Sequence, residues 1–158
     1  MNINIRGKLF DLSKPKVMGI LNLTPDSFYD GGVHNEINNI ENHVNMMVED
    51  GMDILDIGGY SSKPGAKNIS LDEEMTRVIP ILKHIRKIFP DLIISIDTFR
   101  SKIASMSLDE GADMINDISG GTLDKNMMSV VSKNNCPYIL MHMQGNPQNM
   151  QNDPSYEN

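Results

Sequence analysis

The sequence is poor in cysteine, in basic clusters and in long apolar runs, and each shortage removes a class of function. A single cysteine, Cys136, leaves no pair for a disulfide and no thiolate set for a metal cluster. Placed before Pro137 at the head of an apolar run, it reads as a small buried hydrophobe. No stretch approaches the roughly 20 apolar residues that cross a bilayer, and MNINIRGKLF lacks the apolar segment of a signal peptide. A cytoplasmic protein that engages no membrane is therefore expected. The formal net charge is -7, with 14 Lys and Arg against 21 Asp and Glu. No clustered basic face is there to meet a phosphate backbone, so nucleic acid is not the expected partner. Any anionic ligand has to be held locally. Low-complexity tracts are also missing, and a chain with 39% hydrophobic and 22% charged residues has the profile of a packed globular protein.

Five short apolar runs have strand character: Val17 to Leu21, Met52 to Ile57, Leu92 to Ile96, Ala112 to Ile115 and Tyr138 to Met141. They are continuous rather than alternating, the pattern of parallel strands covered on both faces. Helical spacing fills the gaps. Ile37, Ile40, Val44, Met47 and Val48 form one apolar stripe, and Leu71, Met75, Val78, Leu82 and Ile85 form another. Ser70 and Glu73 predict a capping box at the start of the second helix, and Pro80 inside it predicts a kink. A shorter helix is expected over Ser101 to Glu110, and a fourth carries Leu123, Met127, Val130 and Val131. EDGMDILD, from Glu49, is echoed by DEGADMIN, from Asp109: an acidic helix end, a glycine cap, then a strand. Serial βα units of this kind make the fold class α/β.

An open doubly wound sheet and a closed eight-stranded barrel both meet that description. The first βα turn, NLTPDSFYDGG, contains no G-x-G-x-x-G, so a dinucleotide site is unsupported. Every strand ends near a residue that can hydrogen-bond or coordinate: Asn22, Asp56, Asp97, Asn116 with Asp117, and His142. In a barrel such ends converge on one face, whereas the outer strands of an open sheet lie too far apart to share a ligand. The barrel is favoured. Taken singly, each Asn or Asp could instead cap a helix or turn.

Five segments, in this order and spacing, resemble those of the dihydropteroate synthase family: GILNLTPDSFYDGG, DIGGYSSKPGA, SIDTFRS, INDISGG and LMHMQGNP. NLTPDSF with DGG, and GGYSSKPGA, are the most specific of them, and the resemblance runs from about Lys16 to the end of the chain. It implies a (β/α)8 TIM barrel of which residues 1–158 supply the N-terminal part of the single domain, about five βα units. It further implies condensation of 6-hydroxymethyl-7,8-dihydropterin pyrophosphate with p-aminobenzoate, giving dihydropteroate and pyrophosphate.

Residue by residue, the resemblance assigns Asn22 to Mg2+ and pyrophosphate, a role that suits a neutral amide oxygen beside a hard cation. The loop with Thr24, Pro25 and Phe28 would close over the site, with Phe28 facing p-aminobenzoate or anchoring the rim. Ser61, Ser62, Lys63 and Pro64 would serve the diphosphate and p-aminobenzoate side. Ser62 and Lys63 stand where the commoner pattern has Thr and Arg, so a point charge replaces a planar two-pronged donor. Lys63 also reads as a solvated loop charge. Asp97 and Asn116 would bind the pterin edge, Asp56 would support them from behind, and Met141 would wall the ring. His142 reads as a structural histidine. The family's second Asp, its pterin-contacting Lys and its pyrophosphate-gripping Arg and His belong to later strands, so this chain alone is expected to be inactive. A homodimer is implied at full length. A pterin-binding methyltransferase domain, which lacks the SSKPGA loop, and a non-catalytic pterin-binding fragment are the alternatives.

Overall fold

A computed structural model describes residues 1–23, 33–60, 68–145, 149–150 and 153–156, with side chains 33–36 left out. The chain opens with a hairpin, β1 (Asn2–Ile5) and β2 (Lys8–Asp11). Its two-residue turn holds Arg6 at φ 50° and Gly7 at φ 76°, the left-handed pair that matches the twist of antiparallel strands. Sequence patterning gives no warning of this hairpin, because Arg-Gly is not the usual Asn-Gly turn signal. Contacts to distant residues hold Arg6 there. Its guanidinium donates to the buried Asp113 carboxylate and, at 3.0 Å, to the Pro90 carbonyl.

Five βα-type strands follow: β3 (Met18–Asn22), β4 (Ile54–Gly58), β5 (Ile93–Asp97), β6 (Met114–Asp117) and β7 (Tyr138–Leu140). Between them lie α1 (Val33–Glu49), α2 (Leu71–Ile88), α3 (Ser101–Asp109) and α4 (Met127–Asn134). The strands pair in parallel and in chain order, β3-β4-β5-β6-β7. A doubly wound sheet reverses its strand order at a switch point and here none exists, so the sheet is an arc of a singly wound barrel.

Strand alternation assigns the two faces. Leu21, Leu55, Ile57, Ile94, Ile96 and Ile115 point outward, fully buried, against Ile40 and Val44 of α1, Val78, Leu82 and Ile85 of α2, Ile103 and Ala104 of α3, and Met127 of α4. Each such side chain contributes about 1.5 to 3 kcal/mol by leaving water, so this layer carries the stability of the arc. The inner face differs from the expectation of strands covered on both sides. Only β4 is buried along its whole length, while Ile20 on β3 is 64% exposed and Leu140 on β7 57%.

The glycine-capped echo takes the predicted form. Gly51 and Gly111 have φ of 95° and 98°, and the next amides, of Met52 and Ala112, each reach back to a helical carbonyl at 2.9 Å. Ser70 caps α2 by accepting from the Glu73 amide at 3.1 Å, but the Glu73 carboxylate pairs with Arg77 rather than completing the box. The helix runs through Pro80. The fourth helix begins later than the apolar spacing suggests, at Met127, because Asp124 folds back to accept the amides of Ser101 and Asn126. No helix among the described residues is long and apolar enough to cross a membrane.

Candidate functional site

Register decides which polar strand ends meet. Asn22 lies beside Gly58, Gly58 beside Asp97, and Asp97 beside Asn116, one continuous row across four strands at their carboxy-terminal ends. The Asp97 and Asn22 side chains both border Gly58: a β-carbon there would lie 3.4 Å from Oδ2 of Asp97 and 3.5 Å from Oδ1 of Asn22, in ordinary contact with each. Two residues back on the same face, Asp56 pairs in register with Ser95. Asn116 donates from Nδ2 to Oδ2 of Asp56 at 2.8 Å. That bond fixes the amide orientation and leaves Oδ1 of Asn116 as the acceptor for a ligand.

The row is electrostatically loaded. Burial, then the charges of Asp56, Glu74 and Asp117, push the Asp97 carboxyl from its ordinary 3.8 up to about 7. Burial also raises Asp56, with the nearby Ser95 hydroxyl and the Asn116 amide pulling the other way. Oδ1 of Asp56 and the Ser95 hydroxyl are buried without a hydrogen-bond partner. No cation among the described residues pairs with Asp97 or Asp56. A cluster of largely buried carboxyls, one of them with a pKa near neutrality, can accept hydrogen bonds from N–H groups brought to it.

The strand-end residues do not all converge. Asp117 points to the helix side, fully buried, where it accepts from the Ser119 amide and hydroxyl, the Gly121 amide and the Tyr138 hydroxyl at 2.7 to 3.0 Å. It shapes the turn after β6 rather than the row. Met141 follows β7, two residues past Ile139, the register partner of Asn116, and is exposed. His142 is exposed too, with its ring 5.6 Å from Tyr156. Thr24, Pro25 and Phe28, and Ser61, Ser62, Lys63 and Pro64, lie outside the described residues.

A β-carbon on Gly59 would strike Val78 Cγ2 of α2 at 2.7 Å, so the glycine lets that helix pack close to the end of β4. Ser95 went unpredicted, and the available signal was its place two residues before Asp97, on the same strand face.

The sequence pattern of the pterin binding enzyme family matches residues 18–158. The chain is 49% identical over 149 residues to the dihydropteroate synthase of Synechocystis sp., covering 94% of this chain and 51% of that protein. A solved dihydropteroate synthase from Yersinia pestis, in complex with a sulfonamide drug, is similar with a TM-score of 0.86 and 41% identity, over 100% of this chain and 56% of that one. One from Xanthomonas albilineans with 4-aminobenzoic acid gives a TM-score of 0.82 and 37% identity, over 90% and 52%. The chain spans about half, or less, of the length of the curated relatives it matches. Its arc corresponds to about five βα units of their TIM barrel.

Proposed function

The chain belongs to the pterin binding enzyme family, and from that premise we propose that it contributes the pterin-binding half of a dihydropteroate synthase. The observation that carries the reading is the row of Asn22, Asp97 and Asn116 around Gly58, with Asp56 behind it. Asp97 accepts from the pterin N–H groups, and Asn116, its amide oriented by Asp56, offers Oδ1 to the same edge. Asn22, at the outer end of the row, is exposed, and the resemblance assigns it to the diphosphate of the same substrate.

The donor set also fits Mg2+ as a partner of substrate rather than a caged ion. Among the described residues no three His, Cys, Asp or Glu side chains gather into a metal site. Asn22 would hold the ion through its amide oxygen, a hard donor suited to magnesium. Bound there, Mg2+ would stabilise negative charge on the leaving pyrophosphate. The reaction breaks the bond between the pterin methylene and the pyrophosphate oxygen, and the electron pair departs with pyrophosphate. The lone pair of the p-aminobenzoate amine then forms the new C–N bond, and the amine proton passes to solvent. The row's part is to orient the pterin methylene. Thr24, Pro25, Phe28, Ser61, Ser62, Lys63 and Pro64 are assigned to the second substrate and the diphosphate by resemblance, and Met141 to the pterin wall. A cytoplasmic location and a homodimer complete the proposal.

Product formation from the pterin pyrophosphate and p-aminobenzoate tests it in the full-length protein. Asn22→Ala and Asp97→Ala should each abolish most of the rate. Wild-type rates in both variants would remove the site.

A further inference from the structure

Thr98 follows Asp97 by one residue, and strand alternation turns its side chain away from the row, toward α2. There its hydroxyl donates to Oε1 of Glu74 at 2.7 Å and accepts from the Arg100 amide at 3.2 Å. Its own amide donates to the Asn116 carbonyl at 3.0 Å. One buried residue thus touches α2, the turn that leads into α3, and the backbone of Asn116. Glu74 is fully buried, and its Oε2 accepts from the Arg100 guanidinium at 2.6 Å. That guanidinium is itself fixed by the Ile69 carbonyl at 2.6 Å and the Ser70 carbonyl at 3.0 Å.

Helix stability does not account for Glu74. Asp72 and Glu73, exposed in the same first turn, already offer negative charge to the amino end of α2, and Ser70 caps it. Glu74 turns inward instead, where a β-carbon on Gly59 would lie 3.2 Å from its Cγ. Burial raises its carboxyl, and the Thr98 hydroxyl and the Arg100 charge pull it back. A buried ion pair contributes little net stability compared with an apolar replacement, so its use lies in the geometry it enforces. The group it holds is the Thr98 hydroxyl, whose residue is joined by a peptide bond to Asp97 and by a hydrogen bond to Asn116. Those are the two residues assigned to the pterin edge.

We infer that Thr98, held by Glu74 with Arg100 as counter-ion, is a positioning residue that locks the end of β5 to the end of β6 and so aims Asp97 and Asn116 at one ligand edge. For the identity of that ligand this rests on the function proposed above. Thr98 acts from the helix side of the sheet and touches no substrate.

The test uses full-length protein carrying Thr98→Val, which keeps the shape and removes the hydroxyl, and Thr98→Ser, which keeps the hydroxyl. Pairing Thr98→Val with Glu74→Met removes the acid as well, so no buried carboxylate is left short of its donor if the single variant fails to fold. Calorimetric affinity for the pterin pyrophosphate should fall about tenfold in Thr98→Val and in the pair, as a small displacement of aligned groups does, and stay within about twofold of wild type in Thr98→Ser. The KM for p-aminobenzoate at saturating pterin pyrophosphate should move less than about twofold in all three. A merely structural contact would lower the urea midpoint and leave the affinity of the folded protein alone. Wild-type affinity in Thr98→Val or in the pair, or a KM that rises as far as the affinity falls, overturns the inference. If the wild-type protein binds no pterin pyrophosphate, the proposed function fails by itself and amide hydrogen exchange decides: faster exchange at positions 98 and 100 in Thr98→Val than in Thr98→Ser upholds the lock, equal exchange refutes it.

Discussion

Replacing Asp97 with Asn should stabilise this protein in a pH-dependent way while destroying its pterin affinity. The carboxyl titrates near 7 in the folded chain against an ordinary 3.8, because burial and the charges of Asp56, Glu74 and Asp117 disfavour its anion. Between those two pH values the native state holds a proton that the unfolded chain has released. Stability therefore falls as pH rises through that window and levels off above it. Three pKa units correspond to about 4 kcal/mol at pH 8, and only about 2 kcal/mol of that has accrued by pH 5. Asparagine keeps the shape and removes the charge. The stability gap between variant and wild type should thus widen by about 2 kcal/mol from pH 5 to pH 8, or about 1 M in urea midpoint. Urea unfolding followed by circular dichroism at both pH values measures it. A gap that is equal at pH 5 and 8, or one that favours wild type at pH 8, would show that the row does not crowd Asp97. The price of the binding carboxylate is then a stability penalty that the outer apolar layer carries, a common relation between sites and scaffolds.

Three further outcomes follow from the same geometry. Pterin binding should weaken about tenfold per pH unit below about 7, since Asp97 must lose its proton to accept from the ligand, and calorimetry at pH 6 in buffers of different ionisation enthalpy should register about one proton released; affinity that is flat from pH 5.5 to 8 contradicts this. Asp56→Ala frees the Asn116 amide and should cost about 1 to 3 kcal/mol of pterin affinity, while leaving the urea midpoint level or higher, because Asp56 is buried with an unpartnered oxygen. Asp113→Ala should cost about 3 to 5 kcal/mol in urea unfolding, since it strips the partner from Arg86 and Arg6 and from the Ile94 amide. By contrast Arg6→Ala, at a side chain 43% exposed, should cost about 1 kcal/mol or less.

The α/β class, the five strands, and the glycine-capped ends at Gly51 and Gly111 were legible in the residue pattern alone. Apolar periodicity and turn chemistry act over a few neighbours, and the chain displays both directly. So were the candidate residues Asn22, Asp97 and Asn116, because strand ends are local features and their side chains can only accept or donate in certain ways. Which ends share a face was not. Asp117 follows Asn116 by one residue, and strand alternation sends it to the opposite side of the sheet, into the turn with Ser119 and Tyr138. Register across three strands put Gly58 between Asn22 and Asp97, which lie 36 and 39 positions from it in the chain. The pKa of Asp97, the clamp of Arg100 on Ile69 and Ser70, and the Arg6 turn locked by Asp113 are likewise products of distance in space. A residue's neighbours along the chain set its backbone preference, but its charge state and hydrogen-bond partners depend on what folding packs against it.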